Sequence, residues 1–270
     1  MPERPVGPTA DTPAQHLNDF SPEALNDRHD RQLLLLAATG QLGEPPFDVL
    51  DMGSGTGVTA VWAARKGWRV TAVDDWDASL AVLTEQMGRE PGLQITPVLD
   101  NAVTCTAVPN NGFDIVYSKD LLEHVDDYKT CLATTFAKLR PGGLAYFATT
   151  NVICPIQMEY HGVGPYSWYP RWLKERIRHQ ALTTKPELAN YSPCPAIHWF
   201  SRHRLGMALA EAGFTRTWDL YDLVHSPAGL TRRTRLIYPL IRAAAVVSPA
   251  RHAVDLMVVG LTMVAQKPRR

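Results

Sequence analysis

The sequence predicts an α/β fold, a doubly wound and mostly parallel sheet with helices on both faces. Three observations predict it. Segments of helical and strand character alternate from about 22 to 150. The run VLDMGSGTG at 49–57 sets three glycines, spaced GxGxG, at the end of the first short apolar segment. A second apolar segment closes on an acid, Asp74, 21 residues after Gly53, the interval at which a second strand presents a carboxylate to a nucleotide's ribose.

The elements follow in order. ALNDRHDRQLLLLAATG at 24–40 reads as a helix ended by Gly40, and FDVLDMG at 47–53, apolar between Pro46 and the glycines, as the first strand. VTAVWAARKG at 58–67 returns as a helix stopped by Gly67, and WRVTAVD at 68–74 is the second strand. ASLAVLTEQMG at 78–88 is helical. LQITPVLD at 93–100 is a third strand, which Pro97, lacking an N–H for the ladder, restricts to an edge or an end. GFDIVYSK at 112–119 is the fourth. In DDYKTCLATTFAKLRPGG at 126–143, Tyr128, Leu132, Phe136 and Leu139 form one helical stripe before Pro141, Gly142 and Gly143 stop it, and LAYFATTN at 144–151 is the fifth strand.

Alternation stops at 152–200 and resumes with SRHRLGMALAEAGF, where Ser201 can N-cap a helix that Gly213 ends. FTRTWDLYDL and VDLMVVGLTMVA supply strands six and seven. The expected organisation is a mobile, proline-rich tail at 1–15 and one domain over 16–270. Within that domain 152–200 is an aromatic-rich lid insertion and 229–252 a basic and apolar one.

Lys plus Arg and Asp plus Glu number 27 each, a balance that argues against a broad nucleic-acid footprint. The four cysteines are scattered without CxxC or metal-ligand spacing, as expected of reduced thiols in a cytoplasmic protein. No stretch reaches the ~18–20 uncharged apolar residues of a membrane span, so the chain is expected not to be integral to a bilayer. LTRRTRLIYPLIRAAAVVSPARH at 230–252 leaves peripheral association open, although a core helix with solvated arginines is the plainer reading.

A dinucleotide fingerprint GxGxxG would need a sixth-position glycine, and here that position is Val58. Gly53, Ser54, Gly55 and Gly57, preceded by Asp51, instead suit S-adenosylmethionine, which has no phosphate and carries an ammonium that backbone and a carboxylate can approach. On this reading Asp74 holds the ribose. Asp75 and Trp76 line the adenine, and Asp100 and Asn101 meet its polar edge. VLDMGSGTG, VTAVD, FDIVYSKDLLEHV and LRPGG, in that order, resemble the class I S-adenosylmethionine-dependent methyltransferases, in particular their type 11 and ubiquinone-biosynthesis-like branch. The resemblance is close over 45–151 and weaker over 199–222. It implies a Rossmann-like seven-stranded sheet with an antiparallel last strand, S-adenosylmethionine at the carboxyl ends of strands one to four with Ser118 among its neighbours, and methyl transfer. The chain departs from the family pattern at Asn101 and Lys119.

The expected acceptor is a hydroxyl, with nitrogen or carbon acceptors, or a cofactor-binding partner protein without turnover, as the alternatives. Methyl transfer to a hydroxyl needs alignment, water exclusion and a base. Residues 159–200 hold eight aromatics in 42 positions, and Tyr160, Tyr166, Trp168, Tyr169 and Trp199 are expected to face a small-molecule or glycan acceptor, either a sugar or a phenolic ring. His198, where the insertion rejoins the core, is the first choice for the base because imidazoles titrate near neutrality. His161 is the second. Glu123 and His124 of LEHV read mainly as pocket wall. Lys119, Thr149, Thr150 and Asn151 stand where a metal-assisted mechanism would need carboxylates, so no metal is expected.

Overall fold

The computed structural model describes residues 19–190, 192, 194–247 and 249–269; the tail expected at 1–15 lies outside them. In chain order the elements are α1 (Pro22–Ala38), β1 (Asp48–Met52), α2 (Val58–Arg65), β2 (Arg69–Asp74), α3 (Asp77–Arg89), β3 (Ile95–Leu99), β4 (Phe113–Lys119), α4 (Tyr128–Lys138) and β5 (Leu139–Thr150). There follow α5 (Arg171–Thr183), α6 (Arg202–Glu211), β6 (Arg216–Asp219), α7 (Leu220–Leu223), α8 (Arg232–Arg235), α9 (Tyr238–Val246), α10 (Ala250–Asp255) and β7 (Gly260–Gln266).

The seven strands form one sheet in the order β3-β2-β1-β4-β5-β7-β6. β1 to β5 pair in parallel, and β7 runs antiparallel to both β5 and β6. β3, carrying Pro97, is an edge strand. Because side chains alternate across a strand, Val49, Ile115 and Tyr117 pack into one layer with α1 and α2, while Leu50, Met52 and Val116 pack into the other with α4 and α6. The order of β1 turns the chain one way toward β2 and the other toward β4. That switch opens a crevice at the carboxyl ends of β1 and β4.

Local chemistry sets several boundaries. Ser21 and Ser201 each accept a hydrogen bond from a backbone N–H of the first turn that follows, starting α1 and α6. Three elements differ from the sequence-based expectation. β5 begins at Leu139, which pairs with Phe113 of β4, and the glycines that follow pair onward instead of forming a stop: the Gly142 N–H donates to the Lys267 carbonyl at 3.1 Å and the Lys267 N–H to the Gly143 carbonyl at 3.0 Å. The sixth strand ends at Asp219, whose carboxylate accepts from the Tyr221 and Asp222 N–H groups and starts α7. The seventh begins only at Gly260, since residues 254 and 255 close α10.

Candidate cofactor and acceptor site

β1 delivers the glycine loop into the crevice. The Gly53 and Ser54 N–H groups both donate to the Val73 carbonyl at 2.9 Å, folding the loop over the end of β2. Asp74 completes the fold: one carboxylate oxygen accepts from the Gly55 N–H at 2.7 Å and the other from the Trp76 N–H at 3.0 Å. Gly55 has φ +52°, and nothing lies within 4 Å of where a Cβ would sit, so the backbone there borders open space. Gly57, at φ +82°, caps α2 with its would-be Cβ against buried Leu83.

Three buried polar atoms at the carboxyl ends of β1 and β4 and in the loop between β1 and α2 lack a hydrogen-bond partner: Asp51 Oδ2, Ser54 Oγ and Ser118 Oγ. A buried polar atom costs stability unless something satisfies it, so the trio fits a ligand bearing both donors and acceptors, as S-adenosylmethionine does. Asp51 is 3% exposed, and burial pushes its carboxyl up to about 7 against the pull of Lys119. Asp100 and Asn101 turn toward their own loop. Asp100 accepts from the Asn101 and Ala107 N–H groups and Asn101 from Val103, each within 2.8 Å, which shapes the edge of the crevice beyond β3. Asp75 and Trp76 occupy the turn between β2 and α3.

A network the sequence did not announce lies beneath this loop. The Lys119 ammonium is 3.3 Å from both His29 Nε2 and Thr59 Oγ1. His29, fully buried, bonds the Leu25 carbonyl through Nδ1 at 3.0 Å and stacks on Trp62. Burial and the neighbouring ammonium push its imidazole down to about 3. The available signal was position: Leu25, His29, Gln32 and Leu36 form one buried stripe of α1, which places a histidine among core residues.

The segment after β4 joins the crevice to residues 152–200. Asp120 takes a left-handed φ of 50°, a conformation that costs a non-glycine residue energy and recurs at functional sites. Leu121 packs on Gly53, at 2.9 Å from where its Cβ would be. Glu123 is buried and accepts from Thr149 Oγ1 at 2.8 Å, and burial with the nearby Asp120 charge pushes its carboxyl up. His124 Nδ1 lies 2.6 Å from the Cys194 carbonyl, so that nitrogen carries the proton, and Nε2 faces Glu159 at 3.6 Å.

Of the expected acceptor residues, Tyr160, Tyr166 and Trp199 form a small core of their own. The tyrosine rings stack at 4.2 Å and Tyr166 meets Trp199 at 4.9 Å. The Tyr160 hydroxyl donates to the Ala196 carbonyl and the Tyr166 hydroxyl to the Lys174 carbonyl. Beside them opens a cleft of about 510 Å³ lined by Ile156, Met158, Tyr160, His161, Val163 and Trp168, among others. Trp168 is 56% exposed, and Tyr169 packs against Tyr166. His198 stands elsewhere: its ring meets Tyr128 edge-on at 5.0 Å, and its Nε2 lies 3.3 Å from the Asp126 carbonyl. The structure therefore brings His161, and not His198, to the cleft wall. Among the described residues no group of three or more His, Cys, Asp or Glu side chains is placed to hold a metal.

Over residues 13–217 the chain matches the family model of a methyltransferase domain. The ubiquinone biosynthesis O-methyltransferase of Paramagnetospirillum magneticum is 38% identical over 114 residues, covering 39% of this chain and 43% of that protein. The enzyme of the same name from Albidiferax ferrireducens is 30% identical over 167 residues, covering 59% and 62%. The chain thus spans about half the length of the curated relatives it matches. A crystal structure of an S-adenosylmethionine dependent methyltransferase from Mesorhizobium loti shares the fold with a TM-score of 0.54 at 19% identity, covering 86% of this chain and 96% of that one. With the sheet order, the glycine loop and its carboxylate in place, these matches identify the chain as a member of the methyltransferase-domain family, the class I S-adenosylmethionine-dependent methyltransferases.

Proposed function

We propose that this methyltransferase acts on a hydroxyl of a small organic molecule, held in the 510 Å³ cleft with residues 152–200 as its cap. The cleft itself carries the reading. Its wall is built from Ile156, Met158, Val163, Pro165 and Trp168, which suit an apolar ring better than a hydroxyl-rich sugar, since unpaired hydroxyls against apolar walls are costly. The names of the relatives, O-methyltransferases of ubiquinone biosynthesis, support an oxygen acceptor and a small molecule over a glycan.

When bound, S-adenosylmethionine supplies a methyl group already activated on a sulfonium. Asp51, Ser54, Gly55, Asp74 and Ser118 would hold it in the crevice. Leu121, packed on Gly53, and His124, facing Glu159, bind the crevice to the cap, so that closing one orders the other and excludes water. His161 is the base. It lines the cleft, and Glu159 lies close enough for the imidazolium formed on proton transfer to be stabilised by the carboxylate.

His161→Ala is expected to lower kcat by about 10² to 10⁴ with S-adenosylhomocysteine affinity unchanged, the residual rate climbing with pH as the acceptor hydroxyl ionises unaided. His198→Ala, which removes an edge contact with Tyr128, is expected to lower thermal stability and leave kcat within a few-fold. Full kcat in His161→Ala at neutral pH rules out His161 as the base. The acceptor class is tested with isotopically labelled methyl donor and a cell extract: label confined to polysaccharide, or to an amine product, overturns the small-molecule hydroxyl.

A further inference from the structure

The stretch between Asp222 and Asp255 contains no acidic residue and five arginines, in a chain whose charges balance as a whole. It folds as three short helices, α8, α9 and α10, which close over the α1 side of the sheet through Ile241, Ala244 and Val254. Pro239 falls in the first turn of α9, where its missing N–H costs nothing, so the proline that interrupts the sequence pattern starts a helix.

That helix is apolar on both sides. Its inner face carries buried Ile241 and Ala244. The outer stripe is Leu240 and Ala243 within the helix, continued by Leu236 in the turn before it and by Val247 at its C-cap, and all four are exposed. Leu236 is 85% exposed and the adjacent Val246 82%. Beyond α10, which packs against α9, Leu256 and Met257 are exposed as well. A helix with apolar residues all round is ordinarily buried on all sides, so this one has an unpartnered face. Of the arginines, Arg251 is tied to Asp219 and Asp222 and Arg242 to the Val224 carbonyl. Arg232 and Arg235 are exposed at the entrance to the helix, Arg235 with its Nε donating to the Pro227 and Leu230 carbonyls at 3.1 Å. Both act electrostatically on Asp27 of α1, which is itself paired with Arg31 at 2.8 Å.

We propose that α8 and α9 dock the enzyme on an anionic lipid bilayer. The outer stripe enters the interface between headgroups and acyl chains, and Arg232 and Arg235 rest on the lipid phosphates. Charge decides for a bilayer over a second copy of the chain: two such faces would bring like charges together, whereas anionic lipid neutralises them, and basic residues flanking an exposed apolar stripe are the pattern of helices lying in the interface plane. Among the described residues no helix is long and apolar enough to cross a membrane, so the contact is peripheral.

The test is flotation of the full chain with large unilamellar vesicles, either of phosphatidylcholine alone or with about a third phosphatidylglycerol. The chain is expected to float with the anionic vesicles only, and half a molar salt should release much of it. Arg232→Gln should weaken the partition about fivefold, and Leu240→Gln with Val246→Gln by at least tenfold. These positions are exposed, so an unchanged melting temperature confirms that each variant is folded. No flotation of folded wild type, or flotation indifferent to the Leu240 and Val246 substitutions, overturns the proposal. So does a concentration-dependent dimer that those substitutions dissolve in the absence of vesicle binding, which would assign the face to a second copy.

Discussion

Replacing Asp74 by alanine removes a side chain that ties the glycine loop to the end of β2. Its carboxylate accepts two backbone hydrogen bonds, from Gly55 at 2.7 Å and from Trp76 at 3.0 Å. A hydrogen bond to a charged group contributes about 1.5 to 3 kcal/mol. Gly55 borders open space, so water can reach its N–H in the variant, and the cost to folding itself should fall near the lower figure. The cost to the cofactor is separate, because the same carboxylate is the group proposed to hold the ribose and the loop it fixes supplies the surrounding backbone. Binding should weaken by about 1.5 to 3 kcal/mol, or roughly 10- to 150-fold at 1.4 kcal/mol per decade. Isothermal titration with S-adenosylhomocysteine measures this directly, and thermal unfolding without ligand measures the structural part. Asp74→Asn keeps an acceptor for Trp76 but can set an amide N–H against the Gly55 N–H, so it should lose most of the affinity with less loss of stability. Affinity within twofold of wild type in a folded Asp74→Ala protein would mean that the ribose is held elsewhere and the argument from the strand-end carboxylate is wrong.

Two further outcomes rest on the same region. Gly57→Ala should destabilise the fold by about 1 to 3 kcal/mol, because the new Cβ would lie 2.5 Å from a Leu83 methyl in the core and the backbone stays at φ +82°; urea unfolding reads it, and a change below about 0.5 kcal/mol, the ordinary scatter of surface substitutions, would refute the packing argument. His29, held down to about 3, binds no proton in the folded state at pH 5 but does so when unfolded. Its contribution is therefore fully present above the unfolded value near 6.5 and is lost as pH falls from there, at up to about 1.4 kcal/mol per pH unit. Asp51, raised to about 7, has the opposite sign over this range, so wild type alone can look flat. The difference between His29→Gln and wild type isolates the histidine: the variant should lose stability less steeply between pH 6 and 4.5, and equal slopes would show that the buried imidazole is not the source.

The sequence by itself determined the sheet and the cofactor end of it. Apolar runs of strand length, the glycines, and acids at fixed intervals are local signals, because a strand's alternation and a tight turn depend on neighbours in the chain. Pro97 marked its strand as an edge for the same reason. Residues 152–200 were legible only as rich in aromatics. Which of these rings border the cleft depends on contacts between residues far apart in the chain: Tyr160 bonds the Ala196 carbonyl and Tyr166 packs on Trp199, so these three rings make a small core, and of them Tyr160 also lines the cleft, with Ile156, Met158 and Trp168. The choice between His161 and His198 was likewise beyond a linear reading, since both belong to one insertion and only its folding sends one to the cleft and the other to Tyr128. The His29, Thr59 and Lys119 network joins three elements separated by up to 90 residues. Burial created it, because a polar group removed from water must find its partners wherever the chain brings them, and that placement is a property of the tertiary structure alone.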